Sequence, residues 1–148
     1  MSIEDDVNLL ASVPTLRLMG IEALRVLAIG SEVRLINHDE TLFRAGDAAD
    51  CGFVVREGAI RVSSDEGGYH DVVAGPGHLI GEIALVVDIK RPATAVAIAD
   101  STVIRISRSL FSRVLEGHPD AAYRLRDYFS TRASQAASEM LTASGKLG

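Results

Sequence analysis

Between Val33 and about Arg105 the chain is cut by turn signals roughly every eight to twelve residues, and this spacing restricts the fold more than any other feature. Val33-Arg34-Leu35-Ile36 and Thr41-Leu42-Phe43-Arg44 flank a turn at His38-Asp39-Glu40. Gly46-Asp47-Ala48-Ala49-Asp50 makes a second turn, because glycine tolerates left-handed dihedrals and aspartate bonds its own backbone. Phe53-Val54-Val55 leads into a turn at Glu57-Gly58, Ile60 to Ser63 alternates, and Asp65-Glu66-Gly67-Gly68 closes a hairpin onto Asp71 to Ala74. Ala93 to Ala99 and Thr102 to Ile106 supply the last strands. Short strands at this spacing predict a mostly β fold with flanking helices, a sandwich or barrel-like roll.

Helical patterns flank the roll on both sides. Val7, Leu9, Leu10 and Val13 precede Pro14, and Leu16 through Ala28 then recur at helix spacing as far as Gly30, which suits a helix end. After the strands, Ser109 to Leu115 predicts a short helix stopped by Gly117, and Pro119 fits the first turn of a long one reaching about Leu141. Ala121, Leu125, Tyr128, Phe129, Ala136 and Met140 form its apolar stripe. The expected organisation is one domain over 1–148, with helices over 1–30, a roll over 31–107 and helices over 108–142. The stripe is long for one small roll to cover, so a homodimer through the C-terminal helix is expected.

Several function classes fit poorly. The net charge of −5 has the wrong sign for a protein whose main task is neutralising nucleic-acid phosphates. The four histidines are far apart in sequence, so no metal site is expected. A single cysteine, Cys51, permits no internal disulfide and suits a reducing cytoplasm. No segment is long and apolar enough to suggest a membrane span, and the acidic N-terminus does not resemble a secretory signal. No set of nucleophile, base and orienting group stands out, so the chain reads as a binder with no catalytic residues and no cofactor rather than as an enzyme.

The chemistry concentrates between Gly77 and Ala95. Gly81 allows close approach to the backbone, and a short helix beginning after it points free N–H groups outward, which makes an anion site. Arg91 carries a guanidinium able to bind phosphate oxygens bidentately. Glu82 has the wrong charge for a phosphate but suits a sugar hydroxyl, which donates. Together these parts describe a sugar-phosphate binder, although Glu82 and Arg91 equally suit a structural ion pair across a turn.

Gly81-Glu82-Ile83-Ala84-Leu85 followed by Arg91-Pro92-Ala93-Thr94-Ala95 resembles the phosphate-binding cassette of cyclic-nucleotide-binding domains. Gly46-Asp47 with Asp50, Phe53-Val54-Val55 and Gly58 is similar to the same family's pattern of turn glycines around strands. The resemblance runs from roughly Leu16 to Arg132 and keeps the order of motifs. It implies a double-stranded β-helix whose ligand is cyclic AMP or cyclic GMP, acting as a sensor or regulatory module. It further implies that Glu82 accepts from the ribose 2′-hydroxyl, that Arg91 pairs with the cyclic phosphate, and that the Ile83 and Ala84 amides join the anion site. Ala93 and Thr94 would line the pocket, strand alternation makes Val62, Val72 and Ala74 candidates to face the base, and Tyr128, Phe129 and Arg132 are candidate lid residues.

Pro92 departs from the family pattern. It stands where many relatives carry Ala, Ser or Thr, and it offers neither an N–H nor a hydroxyl. Weaker binding and a lean toward cyclic AMP are therefore expected, and the alternative is an interaction protein that keeps the roll without the ligand. Regulators of the catabolite-activator type carry a helix-turn-helix after the long helix. Here the chain reaches only Gly148, so direct DNA binding is not expected.

Overall fold

A computed structural model describes residues 2–64 and 71–131. Three helices come first: α1 (Ile3–Ala11), α2 (Pro14–Arg17) and α3 (Ile21–Gly30). The sequence suggests one helix from Leu16 to Gly30, and the structure divides it at Gly20, whose φ of +85° is a left-handed value that suits glycine and breaks the ladder. Gly30 is the last helical residue rather than a left-handed cap. Its missing side chain matters sterically, because a Cβ there would stand 2.7 Å from Leu110 Cδ1.

The strands follow as β1 (Glu32–Ile36), β2 (Thr41–Phe43), β3 (Ala48–Ala49), β4 (Cys51–Glu57), β5 (Ile60–Ser63), β6 (Val72–Ala74), β7 (Leu79–Ile80), β8 (Ile89–Lys90), β9 (Thr94–Ala97) and β10 (Ser101–Ser107). They pair antiparallel in one sheet ordered β1-β10-β4-β7, a second ordered β2-β9-β5-β6, and the small pair β3-β8. This is the roll expected from the spacing of turns, in the double-stranded β-helix form that the resemblance implies. The tip at Asp65–Gly68 lies outside the described residues, but β5 and β6 hold the register of a hairpin, with Val62 opposite Val72 and Ile60 opposite Ala74.

Strand β4 shows how the layers form. Cys51 to Val55 are all buried, because both faces of this strand are covered. Phe53 and Val55 point between the sheets, into a core with Ile36, Ile60, Ile80, Ala95, Ala97 and Val103. Val54 points the other way, joining Ile104 and Ile106 of β10 under the helices. That alternation along β4 and β10 explains why these strands read as continuous apolar runs.

The helical layer is completed by α4 (Arg108–Glu116), capped by Ser107, whose Oγ accepts from the Leu110 amide at 3.1 Å. Residues 119–131 form the next helix, with Pro119 at its start as expected. Phe111, Val114, Ala121 and Leu125 pack with Leu10, Leu16, Leu24 and Leu27. Burying each such large side chain contributes about 1.5–3 kcal/mol, so the helices are an integral second core. Ala136, Met140 and Arg132 lie outside the described residues. Among the described residues no helix is long and apolar enough to cross a membrane.

Candidate functional site

The site is assembled from two backbone turns held face to face. After β7 the chain enters Gly81 in a left-handed conformation, φ 80° and ψ 36°, and then makes one 3₁₀ turn over Glu82–Leu85. Ala84 and Leu85 anchor this turn at 1% exposure each, with Leu85 reaching into the helical core. Ile83, Val86 and Val87 remain exposed around it.

The opposing turn fixes Arg91. Its amide donates to the Asp47 carbonyl at 2.8 Å, and the Gly46 amide donates to the Arg91 carbonyl at 2.8 Å. The turn is itself closed by Asp47, whose Oδ2 accepts from the Arg44 amide at 3.0 Å. The Gly46-Asp47 motif thus braces the backbone of a residue more than forty positions away.

The Arg91 guanidinium is buried, at 5% exposure, and among the described residues it forms no ion pair with a carboxylate. Nη2 donates to the Cys51 carbonyl at 2.8 Å and lies 3.2 Å from Cys51 Sγ. The guanidinium carbon sits 4.2 Å from the centre of the Phe43 ring and 5.7 Å from that of Phe53, within the range of cation–π attraction. Nε and Nη1 are buried with no hydrogen-bond partner among the described residues. A buried cation with donors left open is costly unless an anion meets it. These groups open on a cavity of about 240 Å³ lined by Phe43, Val62, Ile80, Gly81, Glu82, Ile83, Ala84, Ile89, Arg91, Pro92 and Ala93.

The structure brings together Gly81, Glu82, Ile83, Ala84, Arg91, Pro92, Ala93 and Val62 on that cavity. It separates the others. Thr94 does not line it, and its hydroxyl accepts from the Ala45 amide at 3.0 Å. Val72 shares the inner face with Val62 but is 60% exposed, and Ala74 is buried in the intersheet core. Tyr128 and Phe129 meet edge to face at 5.6 Å, and Phe129 packs on the helical core rather than over the cavity.

One expectation needs correction, and the structural alternative does not hold. The Ala84 amide does not face the cavity as a donor; the tight i→i−3 turn directs it to the Gly81 carbonyl at 3.2 Å. The ion pair between Glu82 and Arg91 does not form. Arg91 turns to Cys51, and Glu82 Oε2 accepts from Thr15 Oγ1 at 2.6 Å. Sequence reasoning missed Phe43, Cys51 and Thr15 as neighbours of the site. Only Phe43 left a signal, an aromatic residue at the end of a short strand beside the Gly-Asp turn.

A sequence model of the family described as "Cyclic nucleotide-binding domain" matches residues 33–118. A solved cyclic nucleotide-binding-like protein of Brucella abortus is 38% identical, with a TM-score of 0.67, covering 76% of this chain and 98% of that one. The catabolite activator protein of Thermus thermophilus is 25% identical at a TM-score of 0.72, over 88% of this chain and 63% of that one. Among curated proteins, lysophospholipase NTE1 of Pyricularia oryzae is 27% identical over 117 residues, which is 76% of this chain but 8% of that enzyme. The match to the lysophospholipases thus covers only a small share of their length.

Proposed function

Since the chain belongs to the cyclic-nucleotide-binding domain family, we propose that its cavity binds a cyclic nucleoside monophosphate and that it works as a non-catalytic sensor. One observation carries this reading. Arg91 is buried, has Nε and Nη1 unpartnered among the described residues, and faces the cavity across from the turn at Gly81. A cyclic phosphate carries one negative charge and presents two exocyclic oxygens, which matches a guanidinium with one edge already spent on Cys51. The Ile83 amide, in the first turn after Gly81, is the backbone donor nearest in role. Glu82 is the acceptor for the ribose 2′-hydroxyl.

The remaining walls are apolar: Phe43, Val62, Ile80, Ile83 and Ile89 offer surface to a purine without hydrogen-bonding side chains. Cyclic AMP is the favoured ligand, because Pro92 supplies no hydroxyl for a guanine. The reading includes cytoplasmic location, from the single cysteine, and self-association through the helix beginning at residue 119, where Tyr123 is 65% exposed. Isothermal titration of the whole chain with cyclic AMP and cyclic GMP tests the ligand. Heat with cyclic AMP, and less with cyclic GMP, is expected. Pro92 also favours a second reading, a roll kept for protein contacts, and absence of heat with both nucleotides at millimolar concentration selects it.

A further inference from the structure

Thr15 is buried at 1% exposure in α2, a four-residue helix far from the cassette in sequence. Its hydroxyl nonetheless reaches Glu82, donating to Oε2 at 2.6 Å across 67 positions. That length belongs to charge-assisted O–H···O⁻ bonds, which are stronger than neutral ones.

The two partners differ in freedom. Thr15 follows Pro14, whose ring fixes its own φ, and it lies between Val13 and Leu16, both buried in the helical core. The helical segment is anchored separately, by the Arg56–Asp6 ion pair between β4 and α1. Glu82 opens a one-turn 3₁₀ helix and carries three side-chain torsions. A fixed donor therefore restricts where that carboxylate can stand. An ionised carboxylate has about four acceptor sites, so a bond from Thr15 is compatible with a second one from a ligand hydroxyl.

We propose that Thr15 is a positioning residue for sugar recognition: it holds the Glu82 carboxylate at the cavity wall, ready for the ribose 2′-hydroxyl. This rests on the reading of the cavity as a cyclic-nucleotide site. It also ties affinity for the sugar to the docking of α2, since pre-setting an acceptor lowers the ordering cost of binding. By linkage, a ligand bearing the hydroxyl then tightens the same docking.

The test compares cyclic AMP with 2′-deoxy cyclic AMP by titration calorimetry on the whole chain, for the wild type, Thr15→Val and Thr15→Ser. The wild type should prefer cyclic AMP about tenfold over the deoxy ligand. Thr15→Val, isosteric but unable to donate, should weaken cyclic AMP by about tenfold and the deoxy ligand by less than about twofold. Thr15→Ser should restore the preference. If Thr15→Val is unfolded by circular dichroism, Thr15→Ala replaces it with the same expectation. Equal weakening of both ligands, or an unchanged preference, overturns the positioning role while leaving the nucleotide site intact. Absence of heat from the wild type with either ligand overturns both.

Discussion

The guanidinium of Arg91 rests 4.2 Å above the ring of Phe43, so among the described residues the buried charge is supported by an aromatic face and not by a carboxylate. Phe43 stacks in turn on Phe53 at 6.1 Å; Phe53 belongs to the core between the sheets, and the half-buried Phe43 packs against it. The arrangement keeps the cation in place without neutralising it. An acidic neighbour would compete with an incoming phosphate; a ring does not.

Replacing the ring should therefore weaken phosphate binding more than it weakens the fold. Phe43→Leu is expected to lower cyclic AMP affinity about tenfold, the equivalent of roughly 1.4 kcal/mol, from the loss of a desolvated cation–π contact. Thermal unfolding of the same variant should shift by only a few degrees, about what roughly 1 kcal/mol produces in a domain of this size. Calorimetric titration and a melting curve on one preparation check both parts.

Gly81 meets two demands at once. Its φ of +80° is a left-handed value, and a Cβ there would stand 2.5 Å from Arg91 Nη1. Gly81→Ala should cost about 1 kcal/mol of stability from the backbone alone. It should also push the guanidinium aside and reduce cyclic AMP affinity by at least about tenfold. Equal affinity in Gly81→Ala and the wild type, measured by titration, would show that Arg91 does not need its observed position.

Much of this was legible before the fold was known. The turn spacing announced the roll because each turn needs residues with particular backbone freedom, and those residues stand at fixed intervals between alternating strands. The cassette was legible for the same local reason: Gly81, the short turn and Arg91 fall within one segment. Contacts set by packing between distant elements were not. Nothing near Thr15 in sequence announces a partner 67 positions away, and Cys51 reads like any small core residue until Arg91 is seen against its carbonyl. The break at Gly20 was hidden because the apolar spacing on its two sides stays in phase, although the backbone does not continue. Val72 and Ala74 were chosen by alternation alone, which gives the face but not the depth along the strand.

The ion pair between Asp6 and Arg56 bridges α1 to β4, with the two side chains 12% exposed each and 2.5 Å apart. Arg56 Nε is already buried without a hydrogen-bond partner among the described residues. Removing one member leaves an uncompensated buried charge, so Asp6→Ala should cost about 3 kcal/mol. In a domain of this length that lowers Tm by roughly 10 °C. The double variant Asp6→Leu with Arg56→Met should recover most of the loss, because no buried charge is left. Differential scanning calorimetry distinguishes the two outcomes.

Pro92 borders the cavity beside Arg91 and offers no donor of its own. Pro92→Ser restores an N–H and adds a hydroxyl at that wall. Affinity for cyclic AMP should rise about threefold to tenfold, as expected for one added hydrogen bond to a charged group. A larger rise for cyclic GMP than for cyclic AMP is expected, and parallel titrations with the two nucleotides measure it.

The role of Arg91 as the anion's partner is tested most directly by titrating cyclic AMP into the wild type and Arg91→Ala under identical conditions. The wild type should give saturable heat. The variant, still folded by circular dichroism, should bind about a hundredfold more weakly or not measurably, a loss of roughly 3 kcal/mol for truncating one side of a buried charge pair. Equal binding by the two proteins would contradict the account, as would a wild type that stays silent toward both cyclic nucleotides at millimolar concentration.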